Sequence, residues 1–175
     1  MEGLFIREAT VADAHDIAVA HVRSWQQAYR GLVPQHVLDD LDIAAREAQW
    51  QKMITDQHRE RTLVAEVDRR VLAWCTFGPA RDNNPVASGE VWGLYAHPDA
   101  WSHGLGHALL AEAEASLRMG GHRRAYLWML DGNSRGIDFY ERHGWLADGG
   151  TKVDERPRFT LHEHRRVKSL VTEKV

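Results

Sequence analysis

Residues 90–110, EVWGLYAHPDAWSHGLGHALL, decide the fold of this chain. They predict an apolar strand over 91–96, a stop at Pro98, and a short polar loop that leads through Gly104 and Gly106 into an amphipathic helix. The first backbone N–H groups of a helix have no intrahelical partner and carry the positive end of its dipole, and glycine lets a ligand approach the main chain. The stretch therefore predicts a site for the phosphate groups of a ligand.

Two familiar phosphate-binding loops fit this stretch poorly. A Walker-type loop needs lysine and then Ser or Thr after its last glycine, whereas His107 and Ala108 follow Gly106. A dinucleotide-binding GxGxxG loop would have glycine at Leu109, although Asp131 does end a later predicted strand, where a ribose-binding acid would be sought. A nucleoside triphosphate is therefore disfavoured, and a dinucleotide is left as an alternative with little support.

Three motifs, in this order, resemble those of the GCN5-related N-acetyltransferase family. They are LYAHP at 94–98, the spaced glycines of WSHGLG at 101–106, and LDGNSRGIDFYERHGW at 130–145. The family pattern is a strand ending LYV-x-P, a Q/R-x-x-G-x-G/A loop, and N-x-x-A-x-x-FYE-x-x-GF. The resemblance covers about residues 62–146, and residues 6–34 are similar to the family's opening strand and helices. The largest departure is Trp101, where the family usually has Gln or Arg.

The order of the elements predicts an α/β fold with a mixed, mostly antiparallel central sheet of about seven strands and helices on both faces, because hairpins impose antiparallel pairs and helical crossovers impose parallel ones. Strands are predicted over 4–6, 62–67, 71–77, 91–96, 124–130, from Trp145 onward, and over 158–167, with a loop over 78–89. Helices are predicted over 10–29, 35–41, 43–55, 104–119 and 133–142. The resemblance implies that the parallel strands 91–96 and 124–130 splay apart, with the pantetheine arm of coenzyme A in the gap.

Composition indicates one globular domain over residues 1–175, with 43% hydrophobic and 27% charged residues. A net charge of -3 argues against binding nucleic acid through bulk charge. No apolar run reaches the length of a membrane span, residues 1–7 lack the features of a signal peptide, and the single cysteine, Cys75, excludes an internal disulfide. We therefore expect a cytoplasmic protein without nucleic-acid or membrane partners.

The predicted cofactor site centres on the glycine loop. The backbone N–H groups of His103, Gly104, Leu105, Gly106 and His107 are expected to bind a pyrophosphate, with Trp101 and Ser102 at its rim; the alternative is a helix start with flexible glycines. The resemblance implies that the main chain at Leu94, Tyr95 and Ala96 binds pantetheine, and that Asn133 contacts it as well. Asn133 is also expected to cap the following helix.

Two residues are candidates for proton transfer. The resemblance places Tyr140 where many relatives have the acid that protonates the departing thiolate, and a phenol and a thiol have similar pKa values; the alternative is an aromatic residue of the core. Glu90 matches a strand position where several relatives have a general base, and the alternative is an exposed acid at a strand start. His97, Trp92 and Tyr95 are further candidates for the wall of the cleft.

The acceptor is expected to contact Trp25, Tyr29, Arg30 and Trp92, with core packing as the alternative for Trp25. A metal site is not expected, because His103 and His107 lack a third ligand at suitable spacing. The resemblance implies transfer of an acetyl group from acetyl-CoA to the primary amine of a small molecule in a ternary complex. The alternatives are a protein or peptide acetyltransferase and a non-catalytic acyl-CoA-binding module. A homodimer is left open.

Overall fold

The computed structural model of the chain describes residues 3–56, 59–82 and 87–171. Its strands are β1 (Leu4–Glu8), β2 (Arg61–Val67), β3 (Arg70–Pro79), β4 (Gly89–Ala96), β5 (Arg124–Leu130), β6 (Leu146–Arg156) and β7 (Phe159–Ser169). Its α-helices are α1 (Ala14–Ala28), α2 (Gln35–Asp39), α3 (Ile43–Thr55), α4 (Leu105–Met119) and α5 (Ser134–Arg142). No helix in these ranges is both long and apolar enough to span a membrane.

The strands form one mixed sheet in the order β1-β2-β3-β4-β5-β7-β6. β4 and β5 are parallel, and every other neighbouring pair is antiparallel. The crossover between β4 and β5 is made by α4, which packs on the sheet face opposite α1 and α3. The seven-stranded α/β sheet and the flanking helices predicted from the sequence are confirmed.

The parallel pair splays apart shortly after it starts. β4 and β5 are paired only at Gly89 with Ala125 and at Glu90 with Tyr126, although both strands continue, to Ala96 and Leu130. On its other edge β4 stays paired with β3, but the register shifts around Trp92. Such a bulge bends the strand and increases its twist. The predicted splayed pair is confirmed, and the bulge is the local irregularity that accompanies it.

Two apolar layers hold the helices to the sheet. On one face, Ile17 and Ala18 of α1 and Trp50 of α3 pack against Val64 and Trp74. On the other face, buried residues of α4, with Leu109 fully buried, pack against Cys75, Leu127 and neighbouring strand residues. A third cluster joins the end of α1 and α2 to β5 and β7. The apolar face of α1 therefore packs against the sheet.

Several predicted boundaries differ from the structure, and three of them are informative. Trp145 precedes β6 instead of starting it, because its ring is fully buried and its indole N–H donates to Glu114 at 2.8 Å. α2 ends at Asp39, two residues earlier than predicted. The predicted loop over 78–89 is shorter, since β3 continues to Pro79 and β4 starts at Gly89; residues 83–86 of that loop lie outside the described residues.

Candidate active site

A cavity of about 690 Å³ opens where β4 and β5 separate. Residues 91–96 of β4 and 127–130 of β5 form two of its walls, and the loop before α4 together with α5 forms a third. On the opposite side of the sheet it reaches Ser24 and Ala28 of α1 and Tyr29, which directly follows this helix. The cavity therefore passes through the gap in the sheet, with one end at the glycine loop and the other at α1.

The glycine loop presents unpartnered backbone donors to this cavity. Ser102 and Gly104 have φ angles of 65° and 85°, and α4 begins directly after them. Within the part of the chain that the structure describes, no backbone N–H from residue 103 to 107 donates to another protein group. A Cβ added at Gly104 would meet nothing within 4 Å. Residues with a left-handed backbone conformation before a helix start turn successive N–H groups toward one point, where they can bind an anion.

The second glycine of the loop has a different role. A Cβ added at Gly106 would lie 3.3 Å from Cζ of Phe139, so this glycine lets α4 approach α5 closely. Gly104 is the residue that requires the left-handed conformation, which is unfavourable for residues with a side chain. The sequence pattern assigned both glycines to ligand approach, and the structure divides the two tasks between them.

Trp101, the departure from the family pattern, is anchored to the site. Its indole N–H donates to the carbonyl of Ala96 at 2.8 Å, and the guanidinium carbon of Arg135 lies 4.1 Å from the centre of its ring. Both residues line the cavity, and Arg135 has no carboxylate partner among the described residues. Sequence reasoning missed Arg135, which brings a positive charge from α5 to the edge of the glycine loop.

A histidine pair lies beside the same loop. His143 Nδ1 is 2.7 Å from the carbonyl oxygen of Phe139, which can only accept, so this nitrogen carries the hydrogen. In the neutral ring His143 Nε2 then accepts from His107 Nδ1 at 2.8 Å. His107 lines the cavity, so this chain of hydrogen bonds fixes its ring at the start of α4.

Tyr140 is buried in the wall of the cavity, packed against Phe139 and Trp145 with ring centroids 5.1 and 6.3 Å away. Its phenol has no hydrogen-bond partner within the described residues. Burial raises the pKa of Tyr140, so the phenol stays protonated at neutral pH. Seven residues earlier, at the start of α5, Asn133 lines the cavity and its side-chain oxygen accepts from the backbone N–H of Gly136 at 3.1 Å, which confirms the predicted cap.

The residues predicted for the acceptor side separate into two groups. Tyr29 and Trp92 line the cavity, and the Tyr29 hydroxyl hydrogen-bonds that of Tyr95 at 3.1 Å. Trp25 is instead packed edge-on against Tyr29, at 4.9 Å between ring centres, and Arg30 is exposed at the end of α1; neither lines the cavity. Of the four residues expected to contact the acceptor, Tyr29 and Trp92 belong to the cavity wall.

Glu90 lies outside the cavity wall and is fully buried. Its carboxylate accepts from the guanidinium of Arg81 at 2.5 Å, from the Arg81 backbone N–H at 2.9 Å and from the hydroxyl of Tyr126 at 3.0 Å. Burial and the Glu90 charge raise the pKa of Tyr126, so its phenol remains a donor. These contacts give the Glu90 carboxylate a structural role where β4 and β5 are still paired, and its role as general base stays a prediction.

Few other side chains of the cavity wall are carboxylates or imidazoles. Within the described ranges, the carboxylate and imidazole that line it are Asp138 and His107, both on the side of α4 and α5. His97 accepts from the Asp99 backbone N–H at 3.3 Å and is not a wall residue. No three His, Cys, Asp or Glu side chains in the described part of the chain form a metal-binding group. The site can therefore bind an anion at one end and expose main-chain groups in its middle.

Known proteins resemble this chain in sequence and in fold. Residues 20–145 match the Acetyltransferase (GNAT) family. The chain is 29% identical over 139 residues to the uncharacterised N-acetyltransferase YuaI of Bacillus subtilis strain 168, across 79% of this chain and 78% of that protein. The PaiA N-acetyltransferase of Thermoplasma acidophilum in complex with coenzyme A has a TM-score of 0.71 at 19% identity, across 95% of this chain and 99% of that one.

A second solved structure, YncA of Salmonella typhimurium with its cofactor acetyl-CoA, has a TM-score of 0.69 at 18% identity and covers 99% of this chain and 98% of that one. These structures share the fold of the chain, and the family match extends over well over half of its residues. The chain belongs to the GCN5-related N-acetyltransferase (GNAT) family.

Proposed function

We propose that this protein transfers an acetyl group from acetyl-CoA to the primary amine of a small molecule, by direct attack while both substrates are bound. The observation that carries this proposal is the loss of pairing between β4 and β5 after Glu90 and Tyr126, directly beside a loop whose N–H groups have no protein partner. Unpaired backbone groups in a protein interior need hydrogen-bonding partners. The two amides of a pantetheine arm supply such partners to the strands, and a diphosphate accepts hydrogen bonds from the N–H groups of the loop.

The residues present fit coenzyme A along its length. The backbone N–H groups of 103–107 and the guanidinium of Arg135 would hold the diphosphate, and the main chain of Leu94, Tyr95 and Ala96 would bind the arm. Arg135 stands in for the Gln or Arg that the family usually has at Trp101, since the indole ring holds a guanidinium over the loop. When bound, acetyl-CoA supplies an acetyl group activated as a thioester.

Tyr140 is the proposed acid. Its phenol holds a proton at neutral pH and has no protein partner to compete for it within the described residues. As the amine nitrogen bonds to the acetyl carbon and the carbon–sulfur bond breaks, Tyr140 gives its proton to the sulfur, and the amine loses one proton to solvent. Main-chain N–H groups of β4 polarise the acetyl carbonyl, because donors already aimed at a developing charge lower the barrier. Tyr140 then regains its proton from water.

The acceptor end of the cavity favours a small amine over a peptide. The segment after α1 is held beside this end: Val33, Val37 and Leu38 pack in one cluster with the cavity residues Tyr29 and Leu130. The amide of Gln26 donates to the carbonyl of Leu38 at 3.0 Å, which fixes the segment to α1. Asp40 forms an ion pair with Arg158 at 2.6 Å and ties the same segment to the β6–β7 hairpin. A peptide needs an open groove, and a segment fixed in place behind Tyr29 limits how far this end of the cavity can open.

The test is release of free thiol from acetyl-CoA in the presence of single amines, with polyamines, aminoglycosides, amino acids and short peptides as separate arms. We expect release with at least one small amine, together with a product heavier by one acetyl group. Activity with peptides alone would replace the small-molecule assignment by a peptide acetyltransferase. Saturable binding of coenzyme A with no thiol release in any arm would overturn the enzymatic proposal and leave a non-catalytic acyl-CoA-binding module.

A further inference from the structure

A cluster of aromatic rings continues from the acceptor end of the cavity into the space between α1, α3 and the sheet. The ring of His21 stacks on Tyr95, with 5.3 Å between centres and 9° between planes, and lies 5.2 Å from the ring of Trp74. The indole N–H of Trp50 donates to Nδ1 of His21 at 3.3 Å. Since Tyr95 also lines the cavity, this cluster lies directly behind the cavity wall.

The cluster carries hydrogen-bond donors without acceptors. Because Nδ1 of His21 accepts from Trp50, the neutral ring carries its hydrogen on Nε2, which is a donor. His21 stays neutral at physiological pH, since burial and the charges of Arg46 and Arg156 lower its pKa to about 3. The buried indole N–H of Trp74 has no hydrogen-bond partner in the part of the chain that the structure describes. Buried donors of this kind call for an acceptor.

Arg46 adds an unneutralised positive charge. It lies on α3 one turn before Trp50, is partly buried, and its hydrogen bond is to the neutral side chain of Gln49 at 3.0 Å. Among the described residues no carboxylate lies within ion-pair distance of it. Burial and the charge of Arg156 lower the pKa of Arg46, so the two guanidinium groups act on each other. A partly buried cation without an anion is unfavourable.

Arg156, at the end of β6, supplies the second guanidinium. Its carbon lies 5.8 Å from the ring centre of Trp25 and 5.6 Å from that of Phe159, and it forms an ion pair with Asp154 at 2.8 Å. The two neighbouring pairs, Arg158 with Asp40 and Lys152 with Glu163, are neutral in themselves. Two guanidinium groups against the single carboxylate of Asp154 leave an excess of positive charge beside the aromatic cluster.

We propose that the acceptor carries a negatively charged group, a carboxylate or phosphonate, in addition to its amine, and that Arg46 and Arg156 hold this group beside His21. The inference rests on the proposed function and specifies its substrate class. The amine would lie in the gap between β4 and β5, and the anion would lie past the ring of Tyr95. An anion there neutralises Arg46 and gives the donors of the cluster an acceptor.

The test compares matched acceptors: ω-amino carboxylates of increasing chain length and the primary amides of the same acids. We expect wild-type protein to prefer at least one carboxylate over its amide by about tenfold or more in kcat/KM. Arg46→Gln should remove this preference, because the charge-assisted contact with the carboxylate is lost. Its kcat/KM for the amide should stay within about twofold of the wild-type value, because the amide has no charge for Arg46 to bind. Arg46→Lys should keep part of the preference, and Arg156→Gln should reduce it.

Arg23→Gln is the matched control, because Arg23 also donates to a glutamine three residues later at 3.0 Å but is exposed on α1. It should keep the wild-type preference. Binding is read separately from turnover by tryptophan fluorescence, since Trp25, Trp50 and Trp74 surround the site. The preferred carboxylate should change the fluorescence saturably in wild type and not in Arg46→Gln. Equal turnover of carboxylates and amides, or an unchanged preference in Arg46→Gln, overturns this inference while the acetyltransferase proposal stands. The absence of thiol release with any amine overturns the acetyltransferase proposal instead.

Discussion

Replacing Tyr140 by phenylalanine removes only the oxygen that the proposed mechanism uses. The ring keeps its packing against Phe139 and Trp145, and within the described residues the hydroxyl makes no hydrogen bond that the change would break. The free energy of unfolding should therefore change by less than about 1 kcal/mol. A general acid contributes about 10²- to 10⁴-fold to a rate, so kcat should fall by about 100-fold or more.

The assay for Tyr140→Phe is thiol release under saturating acetyl-CoA and amine, with calorimetric titration of coenzyme A beside it. Because burial raises the pKa of the phenol, wild-type protein keeps this acid over the whole neutral range, and the loss in kcat should be the same from pH 6 to 8. Tyr29→Phe is the matched control: it removes a hydroxyl of the same cavity that bonds Tyr95, and it should change KM for the amine more than kcat. A Tyr140→Phe protein with wild-type kcat, or one that loses coenzyme A affinity in step with kcat, would refute the acid role.

Three further changes test other parts of the account. Arg135→Gln should lower the affinity for coenzyme A by about tenfold and leave the affinity for S-acetylpantetheine, which has no phosphates, unchanged. Equal losses of affinity for both ligands in calorimetry would contradict the diphosphate contact. Glu90→Gln should lower the free energy of unfolding in urea by about 3 kcal/mol, because Arg81 and Tyr126 lose a buried anion; a stable variant with kcat reduced more than 100-fold would instead support the base role. The pKa of His21 is about 3 in the folded protein and about 6.5 in the unfolded chain, so between these values only the unfolded chain binds the proton, and the free energy of unfolding should fall as the pH drops. His21→Gln should reduce the slope of this fall by up to about 1.4 kcal/mol per pH unit. An unchanged slope would contradict a buried neutral ring.

The sequence predicts the architecture well because the relevant signals are local. The apolar strand, Pro98 and the spaced glycines define a strand, a loop and a helix start within residues 90–110. The hairpin of β2 and β3 and the helical crossover after β4 then set the strand directions. The turn that leads into α1 is another local signal: the backbone N–H of Thr10 donates to the carboxylate of Asp13 at 2.7 Å, three residues along the chain, and α1 starts at the next residue.

The site is less predictable where it depends on contacts between distant residues. The stacking of Arg135 on Trp101 joins α5 to the glycine loop, and a sequence does not reveal which way an exposed arginine on a short helix points. Glu90 looks like an accessible acid at a strand start until Arg81 and Tyr126 are seen around it. The charge of Arg46 is unremarkable in the sequence, and its significance comes from the aromatic cluster and from Arg156, which is 110 positions away in the numbering.

The central claim is that a coenzyme A diphosphate lies on the glycine loop while its arm fills the gap between β4 and β5. Amide hydrogen exchange with and without coenzyme A tests both halves of this claim in one experiment. The account predicts slower exchange at residues 103–107 and along β4 and β5 beyond Glu90 and Tyr126, with α3 unchanged. Exchange that is unchanged in both segments at saturating coenzyme A would contradict it.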